Sequence, residues 1–186
     1  MRAWIGHAAE LDAPVLRILS GNWIQGTPDK ELARRVIATI DELTPYAVER
    51  GVTLALENHG GGVTTTDEEL LSIVRAVKGP NFAVNLDTGN FHGPDPYAEI
   101  AHLAPYAVNV QVKTEIRRKG KSKELADLAR VIRILRDAKY SGYVVLEYNA
   151  PEDAMAAVPR YVKELRSLIA DETTPGRNAA TGEARP

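Results

Sequence analysis

The chain has 186 residues, 44% of them hydrophobic and 26% charged, with a formal net charge of -2 and a pI near 6.1. That is the composition of a globular domain with a sizeable core, and it excludes a field strong enough to gather nucleic acid or an anionic membrane. The absence of cysteine excludes a disulfide framework and a thiolate metal site, so any metal is held by oxygen and imidazole.

Short β-branched runs alternate with longer amphipathic segments. The N-terminal MRAWIGHAAELD has no signal-peptide core, and no apolar run approaches the roughly 18 to 20 residues that span a bilayer, so the cytoplasm is the expected compartment. PVLRILSG reads as a strand over 14–20, and the segment 28–50 as a helix with Leu32, Val36, Ile40 and Leu43 on one face. VTLALE (52–57) is the next strand. A helix follows, opened by Thr66 and Glu69 at capping-box spacing before Leu70, Leu71 and Val74. NFAVNLD (81–87) is a strand, DPYAEIAHLAPY a short helix, and NVQVK (109–113) a strand. SKELADLARVIRILRDAKY reads as one helix with Leu125, Leu128, Ile132 and Leu135 in a stripe. GYVVLEY (142–148) is the last strand, and the last helix carries Pro159, where a kink or restart is expected. Residues 1–170 form one domain on this reading, and the tail 171–186, without periodicity, reads as disordered.

Five strand–helix units in strict alternation imply an α/β fold with a parallel sheet covered by helices. A doubly wound sheet and a (β/α) barrel both satisfy the pattern. In either, reactive groups sit at the carboxyl ends of the strands. Here those ends carry Glu57, Asp87, Gln111 with Lys113, and Glu147. A single such acid is more often a helix cap or loop acceptor than a ligand, but the repetition argues against independent caps. Three converging carboxylates repel unless a positive charge sits among them, and a divalent cation is the simplest resolution. His59 is a loop histidine or a substrate contact. His92 is a weaker candidate for the same mouth, and His7 and His102 fall in helical segments. Arg17 either reaches the mouth or pairs with a neighbouring carboxylate.

LALENHGG, NLDTGNF, VQVK and VVLEY, in this order at successive strand ends, resemble the second half of the sugar phosphate isomerase/epimerase superfamily, the xylose isomerase-like TIM barrels, over residues 3–170. The resemblance implies an incomplete TIM barrel of about five parallel strand–helix units. A complete barrel has eight units and about 250 residues, so the chain is expected to start near the fourth strand. It would then form an open five-stranded sheet with unpaired outer edges that invite another chain, a second copy included.

The resemblance also implies one divalent metal, held by Glu57, Asp87, Gln111 and Glu147. Gln111 stands where the family more usually has histidine, and an amide oxygen in that place favours Mn²⁺ or Mg²⁺ over Zn²⁺. Asn90 stands where many relatives have a substrate-touching histidine, and Lys113 matches a lysine often found there. It would neutralise the carboxylates, hold a substrate oxygen, or form a plain salt bridge. The implied reaction is proton transfer beside a carbonyl of a carbohydrate or hydroxy-keto acid through a metal-stabilised ene-diolate, with Glu57 and Glu147 as ligands and as the base and acid. His59, Asn90, Lys113 and Arg117 are the expected substrate contacts. The basic run RRKGKSK, beginning at Arg117, would hold a substrate phosphate or is a solvated loop.

Dehydration on the same scaffold stays open, as does a non-catalytic sugar-binding fragment. Endonuclease-type relatives use a histidine-rich trinuclear zinc cluster, which four histidines and an acidic balance do not support.

Overall fold

The computed structural model describes residues 1–22, 24–27 and 29–173. Seven strands and six α-helices follow in the order α1 (Arg2–Glu10), β1 (Val15–Ile18), α2 (Asp29–Glu49), β2 (Thr53–Glu57), α3 (Asp67–Ala76), β3 (Phe82–Asp87), α4 (Pro96–Leu103), β4 (Ala107–Lys113), β5 (Glu115–Arg117), β6 (Lys123–Leu125), α5 (Leu128–Asp137), β7 (Tyr143–Glu147) and α6 (Ala154–Thr173). A short 3-10 turn, Ala104–Tyr106, leads from α4 into β4.

The main sheet has five parallel strands in the order β1-β2-β3-β4-β7, which is chain order. A doubly wound sheet reverses its strand order at a switch point, whereas a barrel adds each strand beside the last. The observed order, with each helix packed on the next, is that of a half-barrel, as expected. β1 and β7 each pair on one side only among the described residues.

Strand alternation decides what each face buries. Leu54, Leu56, Val84, Leu86, Val110 and Val112 turn to the helices and are wholly buried in one cluster with Ile40, Leu43, Leu70, Ile73, Ile100, Val131 and Leu135. The other face carries Arg17, Ala55 and Glu57, then Asn85 and Asp87, then Asn109, Gln111 and Lys113, then Glu147, by the observed registers. Its apolar members toward the β7 edge, Tyr143 and Val145, are exposed.

Local signals explain most boundaries. α3 opens on the capping box that its spacing predicts: Thr66 accepts from the Glu69 N–H while Glu69 Oε2 accepts from the Thr66 N–H at 3.0 Å. α4 is capped by Asp95 and begins on Pro96, whose missing N–H costs nothing there. α6 runs unbroken through Pro159 with no restart.

The expected helix from residue 122 begins instead at Leu128, because Asp127 caps it by accepting from Arg130 N at 2.9 Å. The preceding residues form the antiparallel ribbon β5–β6, turned at Gly120 with φ +70°, so Leu125 is exposed rather than part of the apolar stripe. β1 ends at Ile18, two residues short of its expected end. α6 continues to Thr173, three residues into the expected tail, and the disorder expected for 174–186 lies outside the described residues.

Candidate active site

The inward polar side chains form one connected cluster at the carboxyl ends of the strands. Its lower layer draws one residue from each strand of the sheet except β4, which supplies two, Asn109 and Gln111. Arg17 Nη1 donates to Glu57 Oε2 at 2.9 Å. Asn85 Nδ2 donates to the same oxygen at 2.9 Å and also to Gln111 Oε1. Gln111 Nε2 donates to Glu147 Oε2 at 2.6 Å, and Asn109 Nδ2 fixes Asn85 by donating to its Oδ1 at 2.7 Å. Each amide orientation is thereby set by its neighbours. The short spacing between Glu57 and Asn85 follows from their direct pairing across β2 and β3.

The upper layer is built on Asp87 and Lys113. Asp87 is wholly buried. Its backbone N–H donates to Asn58 Oδ1 at 2.8 Å, and Asn58 Nδ2 donates back to the Asp87 carbonyl at 2.8 Å. Asp87 Oδ1 accepts from Gly89 N at 2.8 Å. Lys113 Nζ stands 2.7 Å from Asp87 Oδ2 and 3.5 Å from Glu147 Oε1, and donates to Asn90 Oδ1 at 2.7 Å. Asn90 Nδ2 in turn donates to the Asn58 carbonyl at 3.0 Å and reaches Glu57 Oε1 at 3.4 Å. Burial pushes the Asp87 carboxyl up to about 6; Lys113 and the Gly89 N–H act against that rise, and Glu147 adds to it.

Do these residues suit a divalent ion? Lys113 approaches Asp87 Oδ2 as an ion-pair partner, but that buried oxygen has no directed hydrogen bond, and Glu57 Oε1 has only the long contact from Asn90. Three carboxylates at the ends of β2, β3 and β7, with Asp87 Oδ2 met by Lys113 alone and Glu57 Oε1 by Asn90 alone, make a hard-donor set that fits Mg²⁺ or Mn²⁺ by chemistry. As arranged, the acids are drawn to Lys113, Arg17 and amide N–H groups, and among the described residues no three acidic or imidazole groups stand at ion-holding spacing. Gln111 turns its oxygen to Asn85 and its N–H to Glu147.

The structure thus brings together Glu57, Asp87, Gln111, Glu147, Lys113, Asn90 and Arg17, and Arg17 takes the carboxylate-pairing option. His59 is exposed, and its ring Nδ1 meets the Gly60 carbonyl at 2.8 Å; none of its bonds reaches the carboxylates. Arg117 lies on β5, exposed and without an ion pair among the described residues. It adds to the positive field that, after burial, lowers the His92 pKa together with Lys113 and Lys123. The Lys119 N–H donates to the Gly93 carbonyl at 2.9 Å, tying the basic ribbon to the loop that carries Asn90 and His92.

Sequence reasoning missed Asn85, Asn109, Thr88 and Gly89. The signal for Asn85 was present: it is a polar residue inside the apolar run FAVNLD, two before Asp87 and therefore on the same face. Of the glycines after Glu57, Gly62 has a spatial reason. A Cβ on Gly62 would stand 2.5 Å from the Gly21 carbonyl in the loop after β1.

The profile of the xylose isomerase-like TIM barrel family matches residues 1–168. Among solved structures the chain is similar to a D-tagatose 3-epimerase-like protein, at 20% identity and TM-score 0.74, covering 93% of this chain and 69% of that one. It is similar to an L-ribulose 3-epimerase at 20% identity and TM-score 0.75, covering 95% and 70%. A xylose isomerase-like TIM barrel protein from Mycobacterium smegmatis, in complex with magnesium, matches at 19% identity and TM-score 0.71, covering 91% and 65%. The chain therefore spans about two thirds of the length of these structures. No curated protein matches it.

Proposed function

The chain belongs to the xylose isomerase-like TIM barrel family, and from that premise we propose that it is a divalent-metal-dependent isomerase or epimerase of a carbohydrate or hydroxy-keto acid, acting by proton transfer beside a carbonyl. The observation that carries this reading is the joining of Glu57, Asp87 and Glu147, from three strand ends, into one polar cluster with Lys113 and two side-chain amides, with Glu57 and Asp87 buried and Glu147 half-buried. A binding surface for a neutral sugar has no need to bury like charges together, since each costs desolvation. An enolising site does, because it must both accept a proton from carbon and return one.

Glu57, Asp87 and Glu147 would hold the ion, with Gln111 as the fourth donor after a half-turn of its amide. Mn²⁺ or Mg²⁺ in that place would supply Lewis-acid stabilisation of negative charge developing on adjacent substrate oxygens. Glu57 and Glu147 hold and move the proton from opposite sides of the cluster. Lys113 and Asn90, already linked to each other, orient substrate hydroxyls. Arg117, with no ion pair among the described residues, faces an anionic or polar end of the substrate. His59 is retained as a loop contact at the rim. The similar structures include epimerases named for ketoses, which supports a ketose as the first substrate to test.

The test is product analysis after incubation of the full chain with Mn²⁺ and L-ribulose, D-tagatose or D-psicose. The expected result is a C3 epimer or an aldose–ketose isomer with no loss of mass. A product lighter by one water would instead support the dehydratase reading. Tight sugar binding with no product would support the non-catalytic one.

A further inference from the structure

We propose that Lys113 is a built-in counter-cation of the carboxylate cluster, which a divalent ion must displace from Asp87, so that the lysine holds the metal affinity of this site down. The inference rests on the metal-dependent reading above and deepens it. Lys113 lies 2.7 Å from Asp87 Oδ2, the oxygen left over once Asp87 Oδ1 is bound by Gly89 N. It is 9% exposed, so water screens that contact weakly.

The ammonium is placed by the fold. The Lys113 backbone N–H donates to Thr88 Oγ1 at 3.1 Å. The aliphatic stem lies across Gly89, where an added Cβ would stand 2.6 Å from Lys113 Cδ and 2.7 Å from its Cβ. No residue but glycine leaves that path open. Asn90 and Glu147 then receive the ammonium from two further sides.

Charge bookkeeping gives the consequence. Glu57, Asp87 and Glu147 contribute three negative charges, and Arg17 and Lys113 two positive ones, leaving the cluster at -1. Without Lys113 it stands at -2, the charge that a divalent ion neutralises, and Asp87 Oδ2 is free to coordinate. A unit charge within a few ångströms of a divalent ion in a partly buried site repels it strongly even at an effective dielectric of about 20.

The experiment is Mn²⁺ binding to the full-length chain by equilibrium dialysis, with thermal unfolding as the check of fold. Lys113→Met keeps the stem and removes the charge, and its Mn²⁺ dissociation constant is expected at least about tenfold below the parent's. Lys113→Gln keeps a hydrogen-bond donor beside Asp87 and is expected to tighten binding likewise, which covers a methionine variant that does not fold. Lys113→Arg keeps the charge and is expected to bind no tighter than the parent. A parent that binds Mn²⁺ and neutral variants that bind it no tighter would overturn the role of Lys113 and leave the metal site standing. Failure of the parent and of both neutral variants to bind Mn²⁺ would overturn both.

Discussion

Glu147→Gln is expected to cut turnover by about 10² to 10⁴, the usual contribution of one positioned acid or base, while leaving the thermal midpoint close to that of the parent. Glu147 sits at the end of β7 with its side chain 39% exposed, within 2.6 Å of Gln111 Nε2 and 3.5 Å of Lys113 Nζ. The amide fills the same volume and still accepts from Gln111, so the lower layer stays connected. It cannot carry a proton, nor does it offer a cation more than one neutral oxygen. The measurement is steady-state kinetics on whichever substrate the product analysis identifies, beside circular dichroism. A variant as active as the parent would remove Glu147 from the chemistry and leave Glu57 as the sole proton carrier.

Asn85→Asp is expected to have the largest effect on stability. Asn85 is 1% exposed, and its one amide group serves two acceptors, Glu57 Oε2 and Gln111 Oε1. Nearly isosteric replacement removes both donations and sets a second carboxylate against Glu57 in a site that water barely reaches. Each buried group left without its partner costs about 1–3 kcal/mol, so a loss of roughly 2–4 kcal/mol at pH 7 is expected. The sign with pH follows from which species relieves the repulsion. The introduced acid holds its proton more tightly in the folded chain than in the unfolded one, so the penalty is present above the folded pKa and shrinks as the pH falls toward 5. Urea unfolding at pH 7 and pH 5 reads both quantities. Equal stability of variant and parent at both pH values would mean that the relay through Asn85 does not hold the cluster together.

The five strands of the main sheet were legible because each is a short apolar run bounded by turn residues, and their polar ends stood out against that background. Glu57, Asp87 and Glu147 could be picked out in this way, since the last residue of a buried parallel strand is where the barrel presents side chains to its mouth. What joins them was harder to see. Asn85 and Asn109 lie inside strands, where an amide reads as a weak strand former rather than as a crosslink between carboxylates. Lys113 carried three open roles in the sequence, and the structure places its ammonium 2.7 Å from Asp87 Oδ2, 3.5 Å from Glu147 Oε1 and 2.7 Å from Asn90 Oδ1.

The segment of β6 was misread as the start of the helix for a physical reason. Leu125 and Leu128 are three apart, a helical spacing, and nothing in their periodicity says that Asp127 between them caps the helix and leaves Leu125 outside it. The ribbon matters to the site because it carries Arg117 toward the loop that holds Asn90 and His92.

The central claim is that the strand-end carboxylates move a proton at a carbon beside a carbonyl. It is tested most directly by running the reaction of the Mn²⁺-loaded chain in ²H₂O and following the substrate and product by ¹H NMR. Exchange of one carbon-bound hydrogen for deuterium beside the carbonyl, abolished in Glu57→Gln and Glu147→Gln, is the predicted result. Conversion of a ketose to product without any carbon-bound deuterium would contradict it.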